Sequence, residues 1–238
     1  MSFIYLLDVL KSPNDQLAFD EWLLNFAHQK QLSFIRFWET KRSVVLGYSN
    51  AYQKEVNVLQ CQLDQVPIYR RCSGGGTIIQ GKGCLNISLV LCHQQFPTLS
   101  CIQQVNEEVM KRHQKALSSF LNQDIQVQGI TDLTLNGLKF SGNAQRRKGS
   151  VSLFHGTFLY DYHLPDIEKY LGYPSKEPEY RQKRNHLSFV CNLRISQKNL
   201  INSLCDIWSP EKSDYLFCDE VIDLCRNKYD QESWIKKF

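Results

Sequence analysis

The glycines at residues 74–76 constrain this chain more than any other feature. They follow two arginines in the stretch RRCSGGGTIIQGKGCLNIS at residues 70–88. Without Cβ atoms, the backbone can adopt positive φ and approach a ligand closely with its N–H groups. Arg70 and Arg71 add positive charge, and because neighbours on a strand point to opposite faces, we expect one of them to reach the pocket. The stretch therefore predicts an anion-binding loop.

The same glycines could belong to a P-loop or to a plain glycine-rich hairpin turn. Residues 76–83 read G-x-x-x-x-G-K-G, but Gly83 stands where a P-loop has the Ser or Thr that ligates magnesium. Residues 84–91 (CLNISLVL) are an apolar, β-branched run instead of the amphipathic helix that a P-loop opens. Both departures argue against a P-loop, whereas the hairpin turn stays open as an alternative.

A second constrained segment surrounds a lysine. Residues 125–128 and 132–135 read as strands, and the Asn-Gly pair at 136–137 predicts a two-residue hairpin turn because both residues tolerate positive φ. On the return strand, period two places Lys139 and Ser141 on one face and their apolar neighbours on the other. Packing of those neighbours would hold the lysine at a defined place.

The rest of the chain alternates amphipathic helices with short strands. Ser12 and Pro13 supply an N-cap and a first-turn proline for a helix. A second helix follows residues 97–100, with an apolar stripe of Ile102, Val105, Val109, Leu117 and Phe120. Further strands are predicted at 2–9, 33–38, 43–46 and 151–160, further helices at 164–171, 197–208 and 215–228, and a polar loop at 174–186. Trp38 could serve a site, but a buried aromatic is the commoner role.

Length and composition favour one reduced, cytoplasmic domain. The chain has 238 residues, 42% of them hydrophobic, which suffices for one large core. Nine cysteines lack any C-x-x-C pair, no leader pattern begins the sequence, and no apolar run reaches the length of a membrane span. The net charge of +4 is mild and concentrates at residues 146–148 and 181–184, which indicates a local acidic partner and argues against nucleic-acid binding.

Three motifs together resemble the lipoate-protein ligase A family. The glycine stretch reads RRxSGGGxxxxxxGxLNxS, LKFSGNA follows at residues 138–144, and HGT lies at residues 155–157. The family also contains octanoyl and lipoyl transferases and is related in fold to biotin ligases. The resemblance implies an α/β (α+β) fold of the biotin/lipoyl-ligase type, a mixed β-sheet domain flanked by helices. It also implies one catalytic domain over residues 1–238, without the family's C-terminal accessory domain.

The resemblance assigns roles to specific residues. Lys139 is the expected catalytic residue, contacting phosphate and carbonyl oxygens. Asp132 resembles an acidic position that could meet magnesium, although it could equally cap a strand, and His155 could instead be a satisfied core histidine. The residues expected to bind the acyl group and the adenylate are Arg70, Ser73, Gly74, Gly75, Gly76, Asn86, Ser141, Gly142, His155, Gly156 and Thr157, with Ser88 in support.

The implied activity is ATP-dependent activation of lipoate to lipoyl-AMP, with Mg, followed by transfer to a lysine of an acceptor lipoyl domain. Expected acceptors are the lipoyl domains of 2-oxoacid dehydrogenase complexes and the glycine-cleavage carrier protein, and a separate accessory chain could assist the activation step. Neither nucleic acid nor a membrane is an expected partner. A transferase that takes octanoyl or lipoyl groups from a carrier protein without ATP, and a non-catalytic binding module, remain alternatives.

Two departures from the family pattern bear on these expectations. Gln80 and Gly81 stand where many members have His-Asp, which weakens the case for a charged group in that turn. The cysteine-dependent transferases carry a nucleophilic cysteine in a loop of the site, but no cysteine lies between Cys101 and Cys191. Cys72 and Cys84 lie near the glycines, where apolar neighbours indicate core residues.

Overall fold

The computed structural model describes residues 3–6, 10, 12–213 and 219–238. Its strands are β1 (Ile4–Leu6), β2 (Phe34–Trp38), β3 (Ser43–Leu46), β4 (Ile68–Arg70), β5 (Ile78–Gln80), β6 (Cys84–Cys92), β7 (Ile125–Gln128), β8 (Asp132–Leu135), β9 (Leu138–Lys148), β10 (Val151–Leu159) and β11 (Glu211–Ser213). Its α-helices are α1 (Pro13–Lys30), α2 (Tyr52–Glu55), α3 (Val58–Leu63), α4 (Ile102–Leu121), α5 (Pro165–Tyr170), α6 (Gln197–Trp208), α7 (Asp219–Leu224) and α8 (Glu232–Ile235). A 3-10 turn spans Glu179–Arg181, and a π-helical turn spans Cys225–Tyr229.

Within these described residues the strands form one eight-stranded and one three-stranded sheet. The order in the large sheet is β11-β1-β2-β6-β10-β9-β8-β7. Strands β11, β1 and β2 pair in parallel, and all later pairs are antiparallel. In the small sheet, β3 pairs in parallel with β4 and antiparallel with β5. This mixed sheet with flanking helices confirms the predicted fold class.

Helices cover both faces of the large sheet because its central strands are apolar on both sides. Every residue of β6 is buried. Leu89 packs into a cluster with α4 and α6 on one face, whereas Val90 packs with α1 on the other. Burial of one such side chain contributes about 1.5–3 kcal/mol. The strand β6 begins where a P-loop helix would begin, and the structure thus excludes the P-loop.

The predicted start of helix α1 is confirmed, whereas the predicted apolar stripe of helix α4 is confirmed only in its central part. Ser12 is the N-cap of α1, and Pro13 occupies its first turn. In α4 the central residues Val105, Val109 and Leu117 are buried as predicted, but Ile102 and Phe120 are 55% and 46% exposed. The predicted stripe is wrong at these two positions because periodicity gives the direction of a side chain but not whether the sheet extends beneath the terminal turns.

The predictions for the chain ends fall only partly on described residues. Residues 4–6 form a strand within the predicted 2–9, and α7 lies within the predicted helix at 215–228. Residues 2, 7–9 and 215–218 lie outside the described part of the chain. None of the described helices combines the length and apolarity needed to cross a membrane.

Candidate active site

A cavity of about 820 Å³ opens between the small sheet and strands β8 to β10 of the large sheet. Its walls combine apolar side chains, such as Val45, Ile78 and Ile87, with the polar residues of the lysine segment. A pocket that is mostly apolar with a few polar groups at defined places is the usual form of a small-molecule site.

Most of the predicted site residues meet at this cavity although they are far apart in the sequence. Those that line it are Gly76, Asn86, Asp132, Lys139, Ser141, Gly142, His155, Gly156 and Thr157. Trp38 also lines it while only 4% exposed, so it is both a core aromatic and part of the wall. Ser73, Gly74 and Gly75 are not among the residues that line the cavity. Gly75 is exposed, whereas Ser73 is buried and its Oγ hydrogen-bonds His155 Nε2 at 2.5 Å.

The two arginines before the glycines have exchanged their expected positions. Arg70 was predicted to face the pocket, but its guanidinium donates to backbone carbonyl oxygens of residues 47, 48, 50, 234 and 235 and does not line the cavity. Arg71 lines the cavity instead, and its guanidinium donates to the carbonyl oxygens of Gly74 and Gly76. Strand alternation correctly predicted that one arginine faces the cavity, but it does not say which, because that depends on the packing of β4.

Of the three glycines at residues 74–76, only Gly75 has a backbone conformation that favours glycine. Gly75 has φ of +83°, and a Cβ there would lie 3.0 Å from the Arg71 guanidinium and 3.3 Å from Ala144. Gly74 and Gly76 have open space where a Cβ would be. Gly75 therefore provides the left-handed turn and the close approach to β9, while its neighbours keep the surroundings open.

Lys139 and Asp132 form an ion pair on the cavity wall. Lys139 Nζ lies 2.8 Å from Asp132 Oδ1, and the hydroxyl of Tyr180 donates to Asp132 Oδ2 at 2.7 Å. The Lys139 backbone is held from its other side, because its N–H donates to the carbonyl oxygen of Phe189. Both oxygens of Asp132 therefore have partners, and the positive charge of Lys139 is compensated where the structure places it.

The strand that carries Lys139 has a bulge and a glycine that make room for the lysine. Leu133 pairs with Ser141 whereas Thr134 pairs with Lys139, so β9 contains one extra residue, Phe140, which is fully buried. A Cβ on Gly142 would lie 2.8 Å from Lys139 Nζ. A side chain in place of the glycine of the LKFSGNA motif would therefore displace the ammonium end of Lys139 from this position.

His155 is both a cavity residue and a buried, hydrogen-bonded histidine. Its side chain is 9% exposed, and its Nδ1 lies 2.7 Å from Asp20 Oδ2. Burial raises the pKa of Asp20, but the hydrogen bond from His155 and the charge of Arg36 outweigh it and hold this pKa below its usual value. The two roles weighed for His155 from sequence are thus compatible.

The loop at residues 174–190 contributes a wall of the cavity, whereas the sequence predicted only a polar loop at 174–186. Tyr180 and Phe189 pack together with ring centroids 5.2 Å apart, and both line the cavity. Arg181 lies over the Phe189 ring at 4.9 Å and is 4% exposed. Its charge is therefore not exposed on the surface, where it could attract an acidic partner. The available signal was Tyr180 within the predicted charged loop and Phe189 just after it.

The Gln80-Gly81 pair, which departs from the family pattern, also reaches the cavity through Gln80, the last residue of β5. Gln80 lines it and is 1% exposed, and its Nε2 donates to Ser43 Oγ at 3.1 Å. Gln80 thus supplies an uncharged amide where many family members have histidine.

The described cysteines do not supply a nucleophile at the cavity. Those in the described residues are free thiols, and none of them lines the cavity. Burial raises the pKa of both Cys72 and Cys84 to about 12. Their thiols therefore stay protonated at neutral pH, as expected for core residues.

No group of three or more His, Cys, Asp or Glu side chains suited to a metal occurs in the described residues. Asp132 thus lines the cavity without belonging to such a group. Magnesium is often held by one or two carboxylates together with substrate phosphates, and a single carboxylate at this place fits that mode.

Comparison with known proteins identifies the family of this chain. Residues 12–202 match the family described as lipoyl protein ligase A/B catalytic domain. A probable lipoate-protein ligase A from Mycoplasma pneumoniae is 31% identical over 172 residues, which are 69% of this chain and 48% of the relative. A corresponding protein from Mycoplasma genitalium is 32% identical over 162 residues, or 68% of this chain and 47% of the relative. The chain thus spans about half the length of these curated relatives.

Solved structures share the fold over the whole chain. The structure of protein Ta0514 from T. acidophilum with bound lipoic acid has a TM-score of 0.82 at 20% identity and covers 100% of both chains. A lipoate-protein ligase A bound with ATP has a TM-score of 0.80 at 21% identity and covers 99% of each chain. At this identity the similarity establishes the architecture, whereas the roles of individual residues rest on the geometry of the cavity.

Proposed function

The chain belongs to the lipoyl protein ligase A/B catalytic domain family, and from that premise we propose that it joins a lipoyl group to a lysine of an acceptor lipoyl domain through lipoyl-AMP. One observation carries the proposal. Lys139, the end of the glycine loop at Gly76 and the segment from His155 to Thr157 line a single cavity that also has apolar walls. Such a cavity offers an apolar place for an acyl chain beside cationic groups for a phosphate and a carbonyl oxygen.

The chemistry requires what this cavity offers. A carboxylate is a poor acyl donor, so it must be activated, for example as a mixed anhydride with AMP. When an amine attacks that anhydride, negative charge develops on the carbonyl oxygen and on the leaving phosphate. Preorganised positive charge at those atoms lowers the barrier, and Lys139 is the side chain proposed to supply it. Its charge is available once the phosphate replaces Asp132 as its partner.

Magnesium and ATP belong to the activation step of the proposal. Asp132 would hold the ion as its protein carboxylate, and bound magnesium would neutralise the nucleotide phosphates. The solved structures with lipoic acid and with ATP support ligands of this kind at this fold.

Acceptor and partner form a further part of the proposal. The work on T. acidophilum describes a bi-partite lipoate protein ligase and its E2 lipoyl domain. By analogy, we propose a lipoyl domain of a 2-oxoacid dehydrogenase complex as acceptor, and a separate chain that assists adenylation. The glycine-cleavage carrier protein is a further proposed acceptor. The cytoplasm is the proposed location, and the free thiols of the described cysteines support a reducing compartment.

Mass spectrometry of a lipoyl domain incubated with the protein tests the proposed activity. One tube contains lipoate and Mg-ATP, a second contains octanoyl carrier protein, and a third contains synthetic lipoyl-AMP. A control acceptor has its target lysine changed to arginine. We expect a lipoylated acceptor from lipoyl-AMP, and from lipoate with Mg-ATP when the activating partner is present. Modification only in the carrier-protein tube would support the transferase alternative instead.

A further inference from the structure

A buried chain of hydrogen bonds connects helix α1 to the glycine loop. Asp20 Oδ2 lies 2.7 Å from His155 Nδ1, and His155 Nε2 lies 2.5 Å from Ser73 Oγ. Arg71 Nε donates to the same Ser73 oxygen at 3.1 Å. Asp20 and Ser73 are each 1% exposed, and Arg71 is 6% exposed. Three distant segments of the chain therefore meet in one polar network inside the protein.

The direction of each hydrogen bond in this buried network follows from the residues at its two ends, Arg71 and Asp20. Arg71 can only donate, so Ser73 Oγ accepts from it and its own hydrogen is left for His155. At the other end the ionised Asp20 carboxylate can only accept, so in the neutral ring Nδ1 carries the proton and Nε2 accepts from the Ser73 hydroxyl. That N–H donates to Asp20, whose carboxylate also accepts from Ser88 Oγ at 2.6 Å and from Arg36 at 3.3 Å. Asp20 thus selects the Nδ1–H tautomer of His155.

The other end of the chain shapes the glycine loop. One terminal nitrogen of Arg71, Nη2, donates to the carbonyl oxygens of both Gly74 at 2.5 Å and Gly76 at 2.8 Å. Gly75 lies between these contacts, with its positive φ and its close approach to the same guanidinium. The orientation of the Arg71 side chain therefore determines the path of the backbone at the cavity wall, and Ser73 holds that orientation through Nε.

The order Asp-His-Ser is also that of a hydrolytic triad, but Ser73 lacks the position of a nucleophile. It does not line the cavity, and its oxygen already accepts from a cationic group, which lowers its nucleophilicity. The network instead fixes geometry around the site.

We propose that Asp20 is a positioning residue: it holds His155 in the tautomer that orients Ser73 and Arg71, and so sets the shape of the glycine loop that receives the acyl-adenylate. The ligand in this inference rests on the proposed function. Asp20 does not line the cavity, and its link to the glycine loop runs through His155.

Asp20→Asn tests the inference because it keeps the shape of the side chain while its amide can donate to Nδ1 and reverse the tautomer. Asp166→Asn is the matched control. Asp166 is 4% exposed and contacts His163 Nδ1 at 3.0 Å and Arg42 Nε at 2.9 Å, but it does not line the cavity. Nitrogen-15 spectra of the imidazoles report the tautomer, and titration with a hydrolysis-resistant lipoyl adenylate reports binding.

We expect the wild-type His155 ring to carry its proton on Nδ1 and the Asp20→Asn ring to carry it on Nε2. Losing one buried hydrogen bond to a charged group corresponds to about 10- to 100-fold weaker adenylate binding, which the Asp166 control should not show. Ser73→Ala interrupts the same series of hydrogen bonds at its other end. The variant that combines Asp20→Asn with Ser73→Ala should therefore bind the adenylate no more weakly than the weaker-binding single variant.

An Nε2–H ring in the wild type, or unchanged adenylate binding in both single variants, would overturn the inference. If Asp20→Asn does not fold, the wild-type spectrum and Ser73→Ala still decide between the outcomes. A wild type that binds no adenylate would instead contradict the proposed function, while its spectrum would still test the tautomer. Additive losses in the double variant would mean that the two residues act independently, against a connected chain.

Discussion

Asp132→Asn should tighten the binding of AMP when no divalent metal is present. In the structure Asp132 Oδ1 forms an ion pair with Lys139 Nζ at 2.8 Å. An incoming phosphate must therefore compete with this carboxylate for the same ammonium group. The substitution removes the competing charge and also removes its repulsion of the phosphate. Tyr180 can still donate to the amide oxygen, so the loop at residues 174–190 keeps its contact with β8.

The magnitude follows from the geometry of the pair. Two unit charges at 2.8 Å attract by about 6 kcal/mol in an effective dielectric of about 20. Most of this is cancelled by desolvation, and exposed pairs contribute only about 0–1 kcal/mol. The side chains of Lys139 and Asp132 are 28% and 14% exposed, which places this pair between the exposed and buried limits. We therefore expect a gain of about 1.5 kcal/mol, or about tenfold tighter AMP binding.

Calorimetric titration with AMP in EDTA measures this gain, and Asp124→Asn provides the control. Asp124 is an exposed acid before β7 that accepts from Gln126. Its loss should leave AMP binding unchanged within about twofold. Adenylation with Mg-ATP should move the other way and fall in Asp132→Asn, if Asp132 holds the ion. Weaker AMP binding in a folded Asp132→Asn protein would refute the reasoning, because Asp132 would then position Lys139 instead of competing for its charge.

Three other predictions concern cysteines and arginines. Folded Cys72→Ser and Cys84→Ser proteins should retain acyl transfer, and intact-mass measurement should find no acyl adduct on the wild type; a thioester adduct would promote the carrier-dependent transferase. Reversing the charges of Arg146 and Arg147 should slow association with an acidic acceptor most at low ionic strength, where screening is weakest. An unchanged acceptor KM at low ionic strength would contradict a role of these arginines in attracting the acceptor. Arg70→Lys should lower the unfolding free energy by about 1–3 kcal/mol, because a lysine cannot reproduce the fork of contacts to backbone carbonyls, and equal thermal stability would contradict that structural role.

Local pattern was sufficient for most of the fold. The apolar run of β6 and the Asn-Gly turn before β9 each have one favourable structure, so hydrophobic content and turn residues predicted them directly. The turn is observed with positive φ at both Asn136 and Gly137. The short strands β4 and β5 carried no comparable signal, because three residues are too few to show a period. Their formation depends on pairing with β3, which no local window contains.

The site residues that lie within a sequence motif were predicted. Those that only the tertiary fold brings to the site were not. The lysine segment and the HGT segment line the cavity as expected, because they lie on adjacent strands β9 and β10. Asp20 was not among the predicted site residues, because its contact with His155 spans 135 positions of the sequence and no local pattern indicates it. The choice between Arg70 and Arg71 likewise depended on β4, whose outward face is determined by tertiary packing.

Single-turnover transfer from synthetic lipoyl-AMP to a lipoyl domain would decide whether the cavity is an acyl-adenylate site organised around Lys139. The assay needs neither ATP nor an activating partner, so it isolates the amide-forming step. We predict rapid lipoylation of the acceptor lysine by the wild type. In folded Lys139→Ala protein we predict that the barrier to transfer rises by an amount on the order of several kcal/mol, because one preorganised charge at the developing anion is removed. Wild-type rates in that variant, or no transfer by the wild type, would contradict the proposed site.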